Sequence, residues 1–209
     1  MIRLCVSNSI LEGTEMKAAT CEVMAELYRL GWISTRDGNV SITSDEGFLI
    51  TPSGVRKQFI LEGDLVPVLV EADAPVVATG KPSGELHMHF LLQHRGGATA
   101  VVHAHPTYTV AAMFRGFDLR VLQNHFPELF RYTRIGATVP FLPAISAALG
   151  DATYESFLGR CDIVGQKNHG VTATGADPWE AFEHIERVEH ICKIVLASGV
   201  VPGELAEHP

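Results

Sequence analysis

Residues 100–108 read AVVHAHPTY, an apolar run that ends in two histidines separated by one residue. If the run forms a β-strand, alternate side chains point to opposite faces of the sheet, so His103 and His105 point the same way. Such a pair either fills a polar gap in a core or holds a ligand between the two rings. Buried polar packing is the commoner explanation for an isolated pair, so the interpretation depends on which residues accompany it elsewhere in the chain.

The composition is typical of a globular protein with one core. The chain has 209 residues, of which 46% are hydrophobic and 19% are charged, and its formal net charge is −8. No repeat, low-complexity tract or linker divides this length, so we predict a single domain over residues 1–209. The chain lacks the basic stripe that binds a phosphate backbone, which argues against a nucleic-acid partner. A small anionic substrate needs only a local pocket of positive charge or N–H groups.

The cysteine pattern and the apolar segments indicate the compartment. The four cysteines contain no CxxC pair, which is typical of reduced thiols rather than of a disulfide framework or a cysteine zinc site. The N-terminal residues lack the long apolar segment of an export signal. No apolar run reaches the ~20 residues that cross a bilayer. We therefore expect a cytoplasmic protein with no membrane partner.

Strand and helix patterns alternate along the chain. Short apolar runs predict strands at VSIT, GFLIT, DLVPVLV and TAVVHAH, and a strand with a turn at ATVPFLP. The segments CDIVGQ and VTATG predict two more strands around a tight turn at KNHG. Interleaved strands and helices predict one α/β domain.

Helix signals are clearest in two segments. One helix is expected from an N-cap at Thr14 to about Leu30, because apolar side chains recur on one face. The other has Asp177 as its N-cap, Pro178 at its first position and Gly199 after its end.

His169 in the KNHG turn is the best candidate for a third ligand beside the histidine pair. A zinc-like site on two strand histidines needs a third ligand and one open position for chemistry. Gly170 lets the backbone bend sharply and expose the histidine, and function often concentrates in such turns. Taken alone, His169 is also explained as an ordinary turn residue.

Glu85 is the best candidate for an acid or base. It falls in the first turn of a helix predicted after a Pro-Ser-Gly segment, whose free N–H groups would favour an anion. A carboxylate near a divalent cation can bind it at rest and act as a general base when substrate arrives. His89 lies one helical turn later on the same face and could orient Glu85. Taken alone, Glu85 is explained by the helix dipole. The histidines expected on helical or loop surfaces are His87, His94, His125, His184 and His190.

In chain order, GNVSI, LITPSG, KPSGE, VVHAHP and KNHGV resemble the motifs of the class II aldolase/adducin superfamily. The resemblance runs from about residue 14 to residue 198, and five motifs in this order and spacing are very specific. It implies an α/β fold in three α/β/α layers, with a central, mainly antiparallel sheet flanked by helices. It also implies a homotetramer with active sites at subunit interfaces.

The resemblance assigns roles to particular residues. The metal-binding histidines of the family match His103, His105 and His169, and its catalytic carboxylate matches Glu85. Its phosphate-binding loops match three pairs of residues, Gly38 and Asn39, Ser53 and Gly54, and Ser83 and Gly84.

The implied reaction is cleavage of a carbon–carbon bond in a phosphorylated ketose, as in the fuculose-phosphate aldolases. It would proceed through an enolate stabilised by Zn²⁺ or another divalent metal such as Mn²⁺ or Co²⁺. The alternatives that keep the same metal site are decarboxylation of a hydroxy acid, dehydration of a sugar phosphate and ribulose-phosphate 4-epimerisation. A non-catalytic scaffold like the adducin head is disfavoured, because such a domain is expected to have lost the metal ligands.

Two regions depart from the fuculose-aldolase pattern. The first loop contains Arg36 and Asp37 before Gly38, and Arg36 can bind phosphate or carboxylate in a bidentate way or form a solvated turn pair with Asp37. The KPSG loop lacks one serine of the family's KPSS. The proton-donating tyrosine of the fuculose aldolases has no clear counterpart, so His125, Glu128 or a residue of a neighbouring subunit are the candidates.

Overall fold

The chain is organised around one sheet of seven strands. The computed structural model describes residues 6–207. The strands are β1 (Asn39–Ser44), β2 (Gly47–Ile50), β3 (Val66–Glu71), β4 (Ala74–Val76), β5 (Ala100–Ala104), β6 (Ile163–Gln166) and β7 (Gly170–Gly175). Their order across the sheet is β4-β3-β2-β1-β5-β7-β6, and every pair of neighbouring strands is antiparallel. The strand that carries His103 therefore lies inside the sheet, between β1 and β7.

Helices flank this sheet. They are α1 (Val6–Arg29), α2 (Leu86–Phe90), α3 (Thr107–Phe114), α4 (Leu119–Gln123), α5 (Pro127–Tyr132), α6 (Ala147–Phe157) and α7 (Pro178–Ser198). A π-helical turn, Leu91–Arg95, extends α2, and short 3₁₀ turns span Lys57–Phe59, Glu62–Asp64 and Glu204–Glu207. No helix in the described part of the chain is both long enough and apolar enough to cross a membrane.

Alternate residues of β5 face two different helical layers. Val102 and Ala104 belong to the core cluster that packs against α1, α3 and α7. Val101 lies on the opposite face, where it packs against Met88 of α2. By the two-residue period of a strand, His103 points to the α2 side. The sheet with helices on both faces confirms the predicted fold.

The last helix has the predicted ends. The Asp177 side chain accepts a hydrogen bond from the Glu180 backbone N–H, and Pro178 is the first helical residue. Gly199 follows the helix with a left-handed φ of 79°, which glycine adopts without strain. The buried face of α7 carries the apolar side chains Phe182, Ile185, Val188, Ile191, Cys192 and Val195.

Two predicted elements differ in the structure. Helix α1 begins at Val6, so Thr14 lies inside the helix and is not its N-cap. A glycine such as Gly13 costs a helix only about 1 kcal/mol, so the helix continues through it. The segment 137–143 forms no strand and contributes one isolated bridge, between Val139 and Gln166. Pro140 and Pro143 make this segment a poor strand, because proline fixes φ and has no backbone N–H.

The tight turn between β6 and β7 is confirmed, but its glycine has a different purpose from the one predicted. Asn168, with φ 60°, adopts the left-handed conformation of the turn. Glycine is required at position 170 because the end of β5 lies very close to its backbone. A Cβ atom at Gly170 would lie 2.3 Å from the Ala104 carbonyl oxygen and 2.6 Å from the His105 ring.

Candidate metal and active site

Three imidazole rings meet where β5 ends and the β6–β7 turn reverses the chain. His103 is in β5, His105 directly follows the strand, and His169 lies in the turn. The ring centroids are 4.8 Å apart for His103 and His105, and 4.9 Å for each of the other two pairs. The Nε2 atoms of His103 and His105 are 2.9 Å apart. One nitrogen from each ring lies within 4.8 Å of the others, so the three rings can share one cation.

Burial favours the neutral form of all three imidazoles. Burial lowers the pKa of His103 well below its usual value, and the neighbouring His105 and His169 lower it further. Burial also lowers the pKa of His105 to about 4 and lowers the pKa of His169. Neutral imidazole is the form that binds metal ions. The hydroxyl of Thr172 on β7, 3.1 Å from His103 Nδ1, orients this buried ring.

Glu85 places a buried carboxylate beside the three rings. It is the residue directly before α2, and it is 8% exposed. Its Oε2 lies 3.2 Å from His103 Nε2, and its Oε1 lies 3.7 Å from His169 Nε2. Oε2 accepts a hydrogen bond from Asn39, whereas the buried Oε1 has no hydrogen-bond partner among the described residues. Burial raises the pKa of Glu85, and the Asn39 amide and the Lys57 charge oppose that rise.

The donor set of this site suits a divalent cation of the zinc type. Three histidines with a fourth position left open is an arrangement found in catalytic zinc centres. The unpartnered Oε1 of Glu85 is consistent with a cation nearby, because a buried carboxylate oxygen without a partner is costly. In this arrangement His103, His105 and His169 would hold the ion and Glu85 would lie beside it.

A chain of buried hydrogen bonds behind Glu85 positions Asn39. Gln93 Nε2 donates to Ser41 Oγ over 2.9 Å, and Ser41 Oγ lies 2.7 Å from His89 Nδ1. His89 Nε2 contacts Asn39 Oδ1, and Asn39 Nδ2 donates to Glu85 Oε2 over 3.1 Å. Burial lowers the pKa of His89 to about 3, so its neutral ring accepts from Ser41 and donates to Asn39. The predicted influence of His89 on Glu85 therefore passes through Asn39.

A cavity of about 190 Å³ opens beside Glu85, His105 and His169. The predicted substrate-binding residues at its wall are Arg36, Gly38, Asn39, Ser53, Ser83 and Gly84. Gly54 is the predicted residue that does not line it. The structure thus brings the three phosphate-loop motifs to the same volume as the candidate metal ligands.

Arg36 is attached to the neighbouring TPSG loop. Its Nη1 donates a hydrogen bond of 2.9 Å to the Gly54 carbonyl. Asp37 instead accepts a hydrogen bond from the Ser34 hydroxyl. The structure therefore gives Arg36 and Asp37 separate partners in place of a solvated turn pair.

Both candidates for the second acid or base lie away from the cavity. His125 is partly buried between α4 and α5, and Glu128 is exposed in the first turn of α5. Neither residue lines the cavity within one chain.

The burial of two polar residues was not predicted from the sequence. Lys57 lines the cavity although it is 2% exposed, and the only sequence signal is its position three residues after TPSG. His184, predicted on the surface, is buried, with its Nδ1 3.0 Å from Thr133 Oγ1. Both positions are decided by long-range packing, which a local pattern does not contain.

Fold and site together define a known class of protein. The family model described as Class II Aldolase and Adducin N-terminal domain matches residues 18–196. The chain belongs to this family, which confirms the resemblance found in the sequence motifs.

Relatives within the family carry different activity names. An L-fuculose phosphate aldolase of Methanococcus maripaludis (strain C5) is 30% identical over 171 residues, which cover 80% of this chain and 88% of the relative. A methylthioribulose-1-phosphate dehydratase of Bacillus cereus (strain B4264) is 30% identical over 199 residues, covering 87% of this chain and 92% of the relative. The structure of an L-fuculose-1-phosphate aldolase from Thermus thermophilus superposes with a TM-score of 0.74 at 26% identity, covering 94% of this chain and 98% of the other.

His89→Phe tests the hydrogen-bond chain behind Glu85. The phenyl ring has a similar shape but leaves Ser41 and Asn39 Oδ1 without their buried partner. We expect the free energy of unfolding to fall by about 1–3 kcal/mol, measured by urea denaturation. His190→Phe on the exposed surface of α7 is the control, and we expect it to change stability by less than about 0.5 kcal/mol. Wild-type stability in His89→Phe would contradict the assigned network.

Proposed function

We propose that this protein is a metal-dependent lyase that cleaves a carbon–carbon bond of a phosphorylated ketose. The observation that carries the proposal is the position of Glu85. Its oxygen Oε1 has no hydrogen-bond partner among the described residues, and the carboxylate lies 3.2 Å from His103 and 3.7 Å from His169, at the wall of the cavity. The L-fuculose phosphate aldolases among the relatives support the same reaction class.

His103, His105 and His169 would bind Zn²⁺ or another divalent ion such as Mn²⁺ or Co²⁺. When bound, such an ion acts as a Lewis acid that polarises the carbonyl and hydroxyl oxygens of a ketose. The chain itself keeps the three imidazoles neutral through burial and orients His103 through Thr172. His103 is 1% exposed, so its ring is shielded from water.

Glu85 would transfer the proton to the carbon that remains when the carbon–carbon bond breaks. During cleavage the hydroxyl on the departing fragment loses a proton, the carbon–carbon bond breaks, and the carbon left behind gains a proton. Because burial raises the pKa of Glu85 while Asn39 and Lys57 oppose the rise, the carboxyl group is suited to both uptake and release. The Asn39 hydrogen bond occupies Oε2, so Oε1 is the oxygen available for proton transfer.

Dehydration of a sugar phosphate is the second candidate reaction. The Bacillus cereus relative carries a dehydratase name at the same 30% identity as the Methanococcus aldolase. Both reactions move a proton next to a polarised carbonyl, so Glu85 could serve either one. Their products differ, because an aldolase releases a dihydroxyacetone-phosphate-like fragment and an aldehyde, whereas a dehydratase yields one product that has lost water.

We also propose a homotetramer with active sites at the subunit interfaces. Ile145 lines the cavity and is nevertheless 67% exposed, and its φ of 65° is rare for a β-branched residue. Large apolar side chains are exposed elsewhere, notably Phe114 (74%), Phe130 (73%) and Phe141 (65%). A neighbouring chain that covered the cavity mouth would also supply the second acid or base, from His125, Glu128 or another residue.

His103→Ala should remove bound metal and activity while the fold survives, because the ring is a ligand and its loss leaves two histidines. Metal content is measured by inductively coupled plasma mass spectrometry, and folding by circular dichroism. His190→Ala is the control and should keep its metal. Full metal occupancy in His103→Ala would show that this ligand is wrongly assigned. If wild-type protein holds no divalent ion and a chelator changes nothing, the enzyme proposal fails and the scaffold hypothesis gains.

Glu85→Gln should retain metal and substrate binding but slow turnover by a factor on the order of 10²–10⁴, as expected for loss of a general base. The assay follows release of dihydroxyacetone phosphate from ketose 1-phosphates, with L-fuculose 1-phosphate tested first. Glu46→Gln, at the exposed β1–β2 turn, removes an equal charge and should leave turnover unchanged. Turnover near the wild-type rate would remove Glu85 from the mechanism.

Sedimentation velocity should give a particle of four chains, each of 22.7 kDa. Ile145→Asp places a charge in the proposed interface and should shift the population towards smaller species with reduced activity. A fully active monomer would contradict interfacial active sites.

A further inference from the structure

Lys57 is a cation buried at the wall of the cavity. It is 2% exposed, and no other lysine or arginine is buried among residues 13–205. It is the first residue of the 3₁₀ turn that follows the TPSG loop, and it lines the same cavity as Glu85. Lysine is almost never fully buried unless it is paired, so this position requires an explanation.

The protein provides this ammonium group with one hydrogen bond and no close counter-ion. Nζ donates to the Pro52 carbonyl over 2.6 Å. No carboxylate of the described residues lies within 4.0 Å of Nζ, although the charges of Asp37 and Glu85 act on it from farther away. An ammonium has three N–H donors, so two of them have no protein partner in the described part of the chain.

Anchoring the Pro52 carbonyl does not account for the charge. A neutral donor would make the same hydrogen bond without the cost of removing an ion from water. Burial lowers the pKa of Lys57 to about 8, against the opposing charges of Asp37 and Glu85, so the group remains mostly charged at neutral pH. A buried cation without a close counter-ion is stabilised by an anion that enters the adjoining cavity.

The rest of the cavity wall favours a phosphate group over a carboxylate. Ser53 and Ser83 both line the cavity. The Ser83 hydroxyl oxygen accepts a hydrogen bond from the Glu85 N–H over 3.3 Å, which leaves its proton available to an anion. A phosphate monoester presents three acceptor oxygens and close to two negative charges, which matches one ammonium and two hydroxyl groups.

We propose that Lys57 is a specificity-determining residue that binds the phosphate group of the substrate, with Ser53 and Ser83 beside it. The inference rests on the proposed function, because it assigns a residue to the substrate of that reaction. It is testable separately, because phosphate binding needs no turnover.

Calorimetric titration of inorganic phosphate into the full chain tests the contact. It is carried out on protein as purified with its metal, and again after chelator treatment to remove phosphate binding by the metal. Lys57→Gln removes the charge but keeps an amide that can donate to Pro52, whereas Lys57→Met removes both. We expect each variant to bind phosphate on the order of 10–100-fold more weakly, as for loss of a hydrogen bond from a charged group.

Lys81→Gln is the matched control, because Lys81 is exposed near the same loops and its loss changes the net charge equally. It should bind phosphate within about twofold of wild type. Melting temperatures establish that the variants are folded, and Lys57→Gln decides the test if Lys57→Met does not fold.

Phosphate affinity within twofold of wild type in folded Lys57→Gln overturns the proposal. Preferential binding of glycolate over phosphate by the wild type, lost in Lys57→Gln, would assign the position to a carboxylate and also overturn it. A Lys57-dependent loss of phosphate affinity in a protein that cleaves no ketose phosphate supports the role of Lys57 and counts against the lyase. If the protein cleaves a ketose phosphate but Lys57→Gln binds phosphate as the wild type does, the lyase proposal is supported and the role of Lys57 is contradicted.

Discussion

The close approach between Gly170 and the end of β5 is the constraint on which the candidate site depends. Only a residue without Cβ fits against the Ala104 carbonyl and the His105 ring, so the β6–β7 turn can close on the strand. That closure brings the His169 ring to His103 and to His105, although His169 lies 64 positions after His105 in the chain. The antiparallel pairing of β5 with β7 places His103 within the sheet, which is a rigid element on which to hold the candidate site.

Burial has opposite electrostatic effects on the groups of this site. It lowers the pKa values of the histidines and of Lys57, because their charged forms are cationic, and it raises that of Glu85, whose charged form is anionic. Burial therefore favours the uncharged forms of both Glu85 and Lys57. The attraction between their opposite charges limits both pKa shifts. Perturbed groups gathered at one cavity are typical of catalytic sites rather than of structural cores.

The candidate metal ligands and the candidate substrate-binding loops come from different parts of the fold. His103, His105, the β6–β7 turn and the residue before α2 form the candidate metal site, and similar proteins carry both aldolase and dehydratase names. The loops around Arg36, Ser53 and Ser83 form the cavity wall, where the chain departs from the fuculose-aldolase pattern. Under the proposed function, these loop residues would determine the substrate, while the histidines would hold the metal ion.

The sequence by itself determined the family, the α/β fold, the ends of α7 and most of the residues that meet around the cavity, because motifs, caps and strand alternation can be recognised from the sequence. Tertiary structure alone decided that Lys57 and His184 are buried, that Arg36 contacts the TPSG loop and that segment 137–143 is not a strand. It also showed that His89 acts on Glu85 through Asn39, and that His125 lies outside the cavity of its own chain. The physical reason is that burial and hydrogen-bond partners are set by contacts between segments far apart in sequence, which no local pattern records.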